Sequence, residues 1–454
     1  MRKTSFALAL LTAAVLTACG GNGSGAGNQA PKTKFSNQIT FGDSLSDVGT
    51  YAVGGVAAQG GGQYTINGDN TAVSPELTGK NYSQLVAAQL GLPTPCAAQT
   101  GLVGTASTNP ALNFSVPVVD HAECFNYAQG GARVTNPVGP GNILLEKKDA
   151  PIKIGQMTVP VVTQIDNHLK KVGGKFKGDE LVIVMAGGND VLEQLGEFSA
   201  GATAAGGTAL ATSLITQLAP TTPGGAAVIQ TAIVTESSKS TATSQSIISA
   251  AITAAVKAGN TSAGANATTI GNTAGAAALA AAAKYQTDNA PTLVKNMATA
   301  GTELGNYVKT KIIANGANFV VVNNLPDVSI SPSAKAQTPE TQALIQQMVS
   351  NFNDQLKAAV AGDAKVLYVD LATISRDQAT NPAPYGLTNT TTPACVLNDT
   401  TKNLLSSSLV CNKNNLIAGD VSHYMFADSV HPTPFEYSLI ARYVLEQMTV
   451  KGWL

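Results

Sequence analysis

Unbroken apolar runs of strand length recur along the chain, separated by longer stretches whose apolar residues return every three or four positions. The clearest run is "ELVIVMA" at 180–186, the pattern of a strand buried on both faces. Residues 318–322 and 365–369 repeat it, and shorter apolar elements fall at 38–41 and 124–128. Helical periodicity marks 81–90, 159–169, 290–315, 339–361 and 434–448. Strands alternating with helices predict an α/β fold, with a mostly parallel central sheet covered on both sides as a three-layer α/β/α sandwich. Residues 91–122, punctuated by prolines, read as irregular. About 197–285 breaks the rhythm, since Ala, Thr, Ser and Gly dominate there in stretches such as "AGAAALAAAAK". Alanine favours helix, so this segment reads as a helical insertion in one domain spanning 37–454, with "AGNTSAGANATT" as a glycine-rich break.

Composition narrows the partners. Of 454 residues, 44% are hydrophobic and only 12% charged, which allows a large core, and the net charge of −1 comes without a basic tail or stripe. Nucleic acid is therefore not an expected partner. At the N-terminus, Arg2 and Lys3 precede an apolar run over 6–16 and then Leu16-Thr17-Ala18-Cys19. This order predicts a secretory signal over 1–18, the run being too short to cross a membrane. Leu-Thr-Ala-Cys also resembles a bacterial lipobox, which implies a lipid on Cys19, and Gly20 by the same resemblance favours the outer membrane of a Gram-negative cell. Simple signal cleavage, with a periplasmic or extracellular product, is the other outcome. Residues 19–36 then read as a flexible tether. With Cys19 set aside, Cys96, Cys124, Cys395 and Cys411 form an even set suited to an oxidising compartment. Three connectivities are possible, and the two local loops, 96–124 and 395–411, are preferred. No cysteine pair has the tight spacing of a zinc site.

In open parallel sheets, sites lie beyond the carboxyl ends of strands. Gly42-Asp43-Ser44, Gly130-Gly131 and Gly187-Gly188-Asn189-Asp190 all follow predicted strands at that edge. A serine there can be simple turn chemistry, or a nucleophile if a base takes its proton and donors hold the developing oxyanion. Four histidines are available as the base. His168, in "VTQIDNHLKK", reads as solvent-facing, and His121, beside Asp120, as structural. Asp420-Val421-Ser422-His423 and Asp428-Ser429-Val430-His431 both read D-x-x-H, a spacing that sets carboxylate and imidazole side by side. His431 precedes a terminal helix able to anchor its loop and is the preferred base; His423 is left to line the site. Asp43, Asp47 and Asp190 with a histidine also suggest a divalent metal for phosphoester hydrolysis, a reading set below the next one.

"FGDSLSDVG", "NYAQGGAR", "AGGND" and "DSVHPT", in this order over residues 41–433, resemble the four blocks of the SGNH/GDSL hydrolase family. The resemblance implies a flavodoxin-like sandwich without metal or cofactor. It implies Ser44 as nucleophile, His431 as general base and Asp428 as its orienting carboxylate. It further implies an oxyanion hole from the Ser44 amide, a block II glycine amide and the Asn189 side chain. Aligning from Asn126 favours Gly131 over Gly130. The aspartates would then satisfy loop amides. The Gly-x-Ser-x-Gly elbow of α/β-hydrolases is absent around Ser44. The expected substrate is a small-molecule or lipid ester, and membrane contact would come through the N-terminal lipid. Acyl transfer to another acceptor and a non-enzymatic surface lipoprotein with a relic site are the alternatives. The Ala-rich insertion lies outside the family pattern, so acyl preference and oligomeric state stay open.

Overall fold

The computed structural model describes residues 33–68 and 79–454; the signal segment and Cys19 lie outside the described residues. Four strands, β1 (Gln38–Gly42), β4 (Leu181–Met185), β5 (Phe319–Asn323) and β6 (Val366–Val369), form one parallel sheet in the order β1-β4-β5-β6. Ile39 pairs with Val182, Leu181 with Phe319, and Val320 with Val366. The apolar element expected at 124–128 runs parallel beside β1. Thr40 N–H donates to Phe125 O at 3.1 Å, and the amides of Tyr127 and Gln129 donate to Thr40 O and Gly42 O.

The unbroken apolar runs divide by parity. Ile39, Phe41, Val182, Val184, Val320 and Val322 face one core, while Leu181, Ile183, Met185, Val321 and Leu367 face the other. In chain order the α-helices are α1 (Gly54–Ala58), α2 (Tyr82–Gln89), α3 (Val161–Lys171), α4 (Gly188–Leu218), α5 (Gly225–Ser237), α6 (Ser244–Lys257), α7 (Thr261–Ala265), α8 (Ala267–Tyr307), α9 (Pro332–Lys335), α10 (Pro339–Val360), α11 (Leu371–Thr380) and α12 (Pro434–Val450). Helices α3, α8 and α10 cover the first core, and α2 and α12 the second, so the expected three layers are present.

Several expectations are corrected. The stretch read as irregular holds an antiparallel pair, β2 (Gln99–Val103) and β3 (Ser115–Asp120). Gly101, Pro117 and a register shift between Thr100 and Leu102 break the alternation that would have marked it. The helix placed at 290–315 begins at Ala267 and carries Pro291 inside it rather than at its start. The tether does not reach residue 36. Phe35 is buried edge-on against Phe319 at 5.3 Å, and Ser36 Oγ donates to Asp179 Oδ1 at 2.7 Å. His168 does not face solvent. It is 0% exposed among Phe41, Tyr127 and Phe176, with Nδ1 3.2 Å from Tyr127 Oη.

The Ala-rich stretch is helical, and it joins the sandwich through continuous helices. Helix α4 starts at the carboxyl end of β4 and runs through residue 197 without a break, while the C-terminal half of α8 returns Leu293, Met297 and Leu304 to the first core. Beyond them, Leu210 and Leu214 of α4 meet Ile229, Ile248 and Ile270 in a separate small core. Alanine supplies helix propensity while these sparse large residues supply the packing.

Candidate active site

The turn after β1 is pinned on both sides. Gly42 N–H donates to Gln164 Oε1 at 2.9 Å and Gly42 O accepts from Gln164 Nε2 at 2.8 Å. Asp43 closes the next step by accepting Leu45 N–H on Oδ1 and Ser46 N–H on its carbonyl. These bonds lift Ser44 out at the carboxyl edge of the sheet, where it is 7% exposed and its own N–H has no partner among the described residues. Burial raises the Asp43 carboxyl to about 7, opposed by the Leu45 amide and His431.

The second segment is tied to the first by side chains. Asn126 Nδ2 donates to Ser46 O at 2.9 Å, and Asp47 accepts from the amides of Gly49 and Thr50 on Oδ1 and of Gly130 on Oδ2. Burial pushes Asp47 to about 6 despite those amides. Since Gly130 N–H is committed to Asp47, the adjacent Gly131 N–H is the one without a partner among the described residues. Gly131 has φ +78°, and a Cβ there would stand 2.2 Å from Pro140 O, so only glycine fits the turn.

The third segment forms the first turn of α4. Asn189 Nδ2 donates to Ala132 O at 2.8 Å, which occupies one amide hydrogen and leaves one. Asp190 beside it accepts from Arg133 Nε at 3.0 Å and from Val134 N–H. Asp43, Asp47 and Asp190 thus serve loop amides and Arg133. Among the described residues no group of His, Cys, Asp and Glu is arranged to hold a metal.

The fourth segment supplies the imidazole. His431 Nδ1 lies 2.8 Å from Asp428 Oδ2, and Nε2 lies 2.9 Å from Ser44 Oγ, across 387 residues of sequence. With the Nδ1 proton toward Asp428, Nε2 is left to accept from the serine hydroxyl. Asp428 also accepts the amides of Val430 and His431 on Oδ1 and of Ser408 on Oδ2. Burial alone would raise its pKa, but the His431 charge and hydrogen bond, with those amides, hold the carboxyl well below the usual range. The Tyr64 ring packs on the imidazole at 4.8 Å, and Thr65 Oγ1 donates to Pro432 O at 3.0 Å.

The other histidines are elsewhere. His423 does not line the site: it packs on Phe435 with Nδ1 3.0 Å from Ser422 Oγ, and Asp420 caps the Ser422 amide instead. His121 Nε2 meets Thr100 Oγ1 at 2.8 Å. Both local disulfides are formed, Cys96–Cys124 and Cys395–Cys411. The second matters at the site. Cys395 N–H donates to Ala427 O next to Asp428, and Cys411 follows the short turn that begins at Ser408. Sequence reasoning missed Ser408 and Tyr64, because a backbone donor and a ring placed by packing leave no motif.

A cavity of ≈ 90 Å³ opens beside Ser44, Asn189 and His431. Leu45, Leu192, Leu325, Val328, Met425 and Ile440 give it a mostly apolar wall, to which Glu436 also belongs.

The parallel three-layer sandwich thus brings Ser44, His431 and Asp428 together on loops at its carboxyl edge. A family model described as GDSL-like Lipase/Acylhydrolase matches residues 257–444, which include Asp428 and His431. With the four ordered blocks, this match supports the chain's resemblance to the SGNH/GDSL hydrolase family. It is similar to GDSL esterase/lipases of Arabidopsis thaliana. One is 26% identical over 165 residues, covering 34% of this chain and 43% of the relative. A second is 32% identical over 103 residues, covering 21% and 27%. The chain therefore spans less than half the length of these curated relatives.

Proposed function

We propose that this protein is a serine esterase that cleaves carboxylic esters through an acyl-enzyme. The observation that carries the reading is the continuous relay from Asp428 through His431 to Ser44 Oγ, at 2.8 and 2.9 Å. Ser44 Oγ attacks the ester carbonyl as His431 Nε2 takes its proton. The oxyanion is held by the amides of Ser44 and Gly131 and by the remaining amide hydrogen of Asn189. Collapse breaks the bond to the alkoxy oxygen, which leaves with the proton from His431. Water then attacks the acyl group, again deprotonated by His431, and frees the acid and Ser44.

The site's family supports an ester as substrate. The address is part of the same proposal: an exported protein, for which two disulfides in the described fold suit an oxidising compartment, anchored by lipid on Cys19.

Reaction with a fluorophosphonate should label Ser44 in the parent and nothing in Ser44→Ala. The same substitution should lower hydrolysis of 4-nitrophenyl acetate by about 10³-fold or more. Equal hydrolysis by the folded variant and the parent defeats the assignment.

A further inference from the structure

One buried acid beside the proposed nucleophile has no part in the relay. Glu436 sits in the first turn of α12, is 2% exposed, and belongs to the wall of the cavity that opens on Ser44. In a helix capped by threonine, a glutamate at this position commonly turns back to the capping residue's amide. Here the Thr433 amide donates to Met425 O, and Glu436 is left out of the cap. Its Oε2 is buried with no hydrogen-bond partner among the described residues. Burial raises its pKa well above the carboxylate range, with Arg442 and Gln378 offsetting only part of the effect, which favours the protonated carboxyl. An unmatched polar group inside an apolar wall is destabilising unless a ligand meets it.

The cavity also limits what can meet it. About 150 Å³ of apolar cavity holds a benzene ring; ≈ 90 Å³ holds only a few carbons. During turnover the alcohol must leave and water must enter, so the apolar wall suits the half that stays on Ser44. Resting on the esterase reading, we infer that Glu436 is a specificity-determining residue, and that the preferred ester carries a short acyl group with a hydroxyl or carbonyl that hydrogen-bonds to Glu436. Gln378 of α11, whose own Oε1 is unpartnered among the described residues, is the internal neighbour of this carboxyl.

The test compares 4-nitrophenyl pentanoate with 4-nitrophenyl 4-oxopentanoate in the parent, Glu436→Leu and Glu436→Gln. The parent should favour the oxo ester by about tenfold in kcat/KM. Glu436→Leu should erase that ratio and raise turnover of the plain ester, while Glu436→Gln, which still donates, should keep part of it. Glu436→Met replaces the leucine variant if the latter does not fold. A parent without preference, or a preference that survives the apolar variants, overturns the inference and leaves Glu436 as a structural partner of Gln378. Fluorophosphonate labelling of the parent separates the two levels: labelled Ser44 with no preference defeats this inference alone, and unlabelled Ser44 defeats the esterase reading with it.

Discussion

Asp428 and His168 are both buried titratable groups, and their surroundings drive them to opposite charge states. Asp428 stays ionised because three backbone amides and the His431 ring converge on its two oxygens. His168 has only Tyr127 Oη for a partner, and its Nε2 has none among the described residues. Burial first, and the Lys171 charge second, hold it at about 4. An unfolded chain titrates this imidazole near 6.5, so between those values it binds a proton that the folded state refuses. The histidine's contribution is therefore fully present above pH 6.5 and is lost toward pH 4, by up to about 3 kcal/mol. His168→Phe should flatten that slope: between pH 7.5 and 4.5 its urea midpoint should fall less than the parent's. Parallel falls would reject the cause. The sequence offered both residues for inspection. Asp428–His431 was legible because its spacing fits one turn. The burial of His168 was legible too, since it shares the 161, 164, 165, 168 stripe of α3. The charged neighbours in "NHLKK" concealed it.

At the scale of elements, the unbroken apolar runs gave away β4, β5 and β6, because a strand with helices on both faces needs no polar residue on either side. The antiparallel pair at β2 and β3 gave no such signal. The anchoring of Asp428 was hidden for another reason: it depends on which segments meet. Ala394 and Cys395 bond to Phe426 and Ala427, while the chain leading to Cys411 presents the Ser408 amide to the carboxylate. The Cys395–Cys411 bond thus fastens the segment before Asp428 to the segment that donates to it. Closing a loop of this length constrains the unfolded chain by about 3 kcal/mol, and we expect a catalytic effect besides. Replacing both cysteines by serine should lower kcat by roughly tenfold while KM stays within about twofold, because an imidazole left loose binds no substrate but transfers protons badly. A variant that stays folded at the assay temperature and keeps the parent's kcat would count against this coupling.

For the molecule as a whole, the sandwich and the Ala-rich helices divide the labour unequally. Every side chain bordering the cavity comes from residues 43–45, 188–192, 325–331, 375 or 425–440. None comes from the outer part of the insertion, whose small core is its own. Gly206 of α4 faces Ala278 of α8 closely enough for a short linker, a Cβ at 206 falling 3.1 Å from Ala278 O. Joining residue 207 to residue 278 through a few glycines should remove α5, α6 and α7 and leave kcat/KM for 4-nitrophenyl acetate within about threefold. A loss of a hundredfold in a folded product would show that these helices shape the site.

The separation between Ser44 and His431 has a consequence for biosynthesis. Ribosomes release the serine almost four hundred residues before the imidazole that it meets at 2.9 Å. Under the proposed mechanism, a nascent, stalled or clipped polypeptide ending short of residue 431 carries the hydroxyl without the imidazole that would activate it against the esters of the cell that makes it.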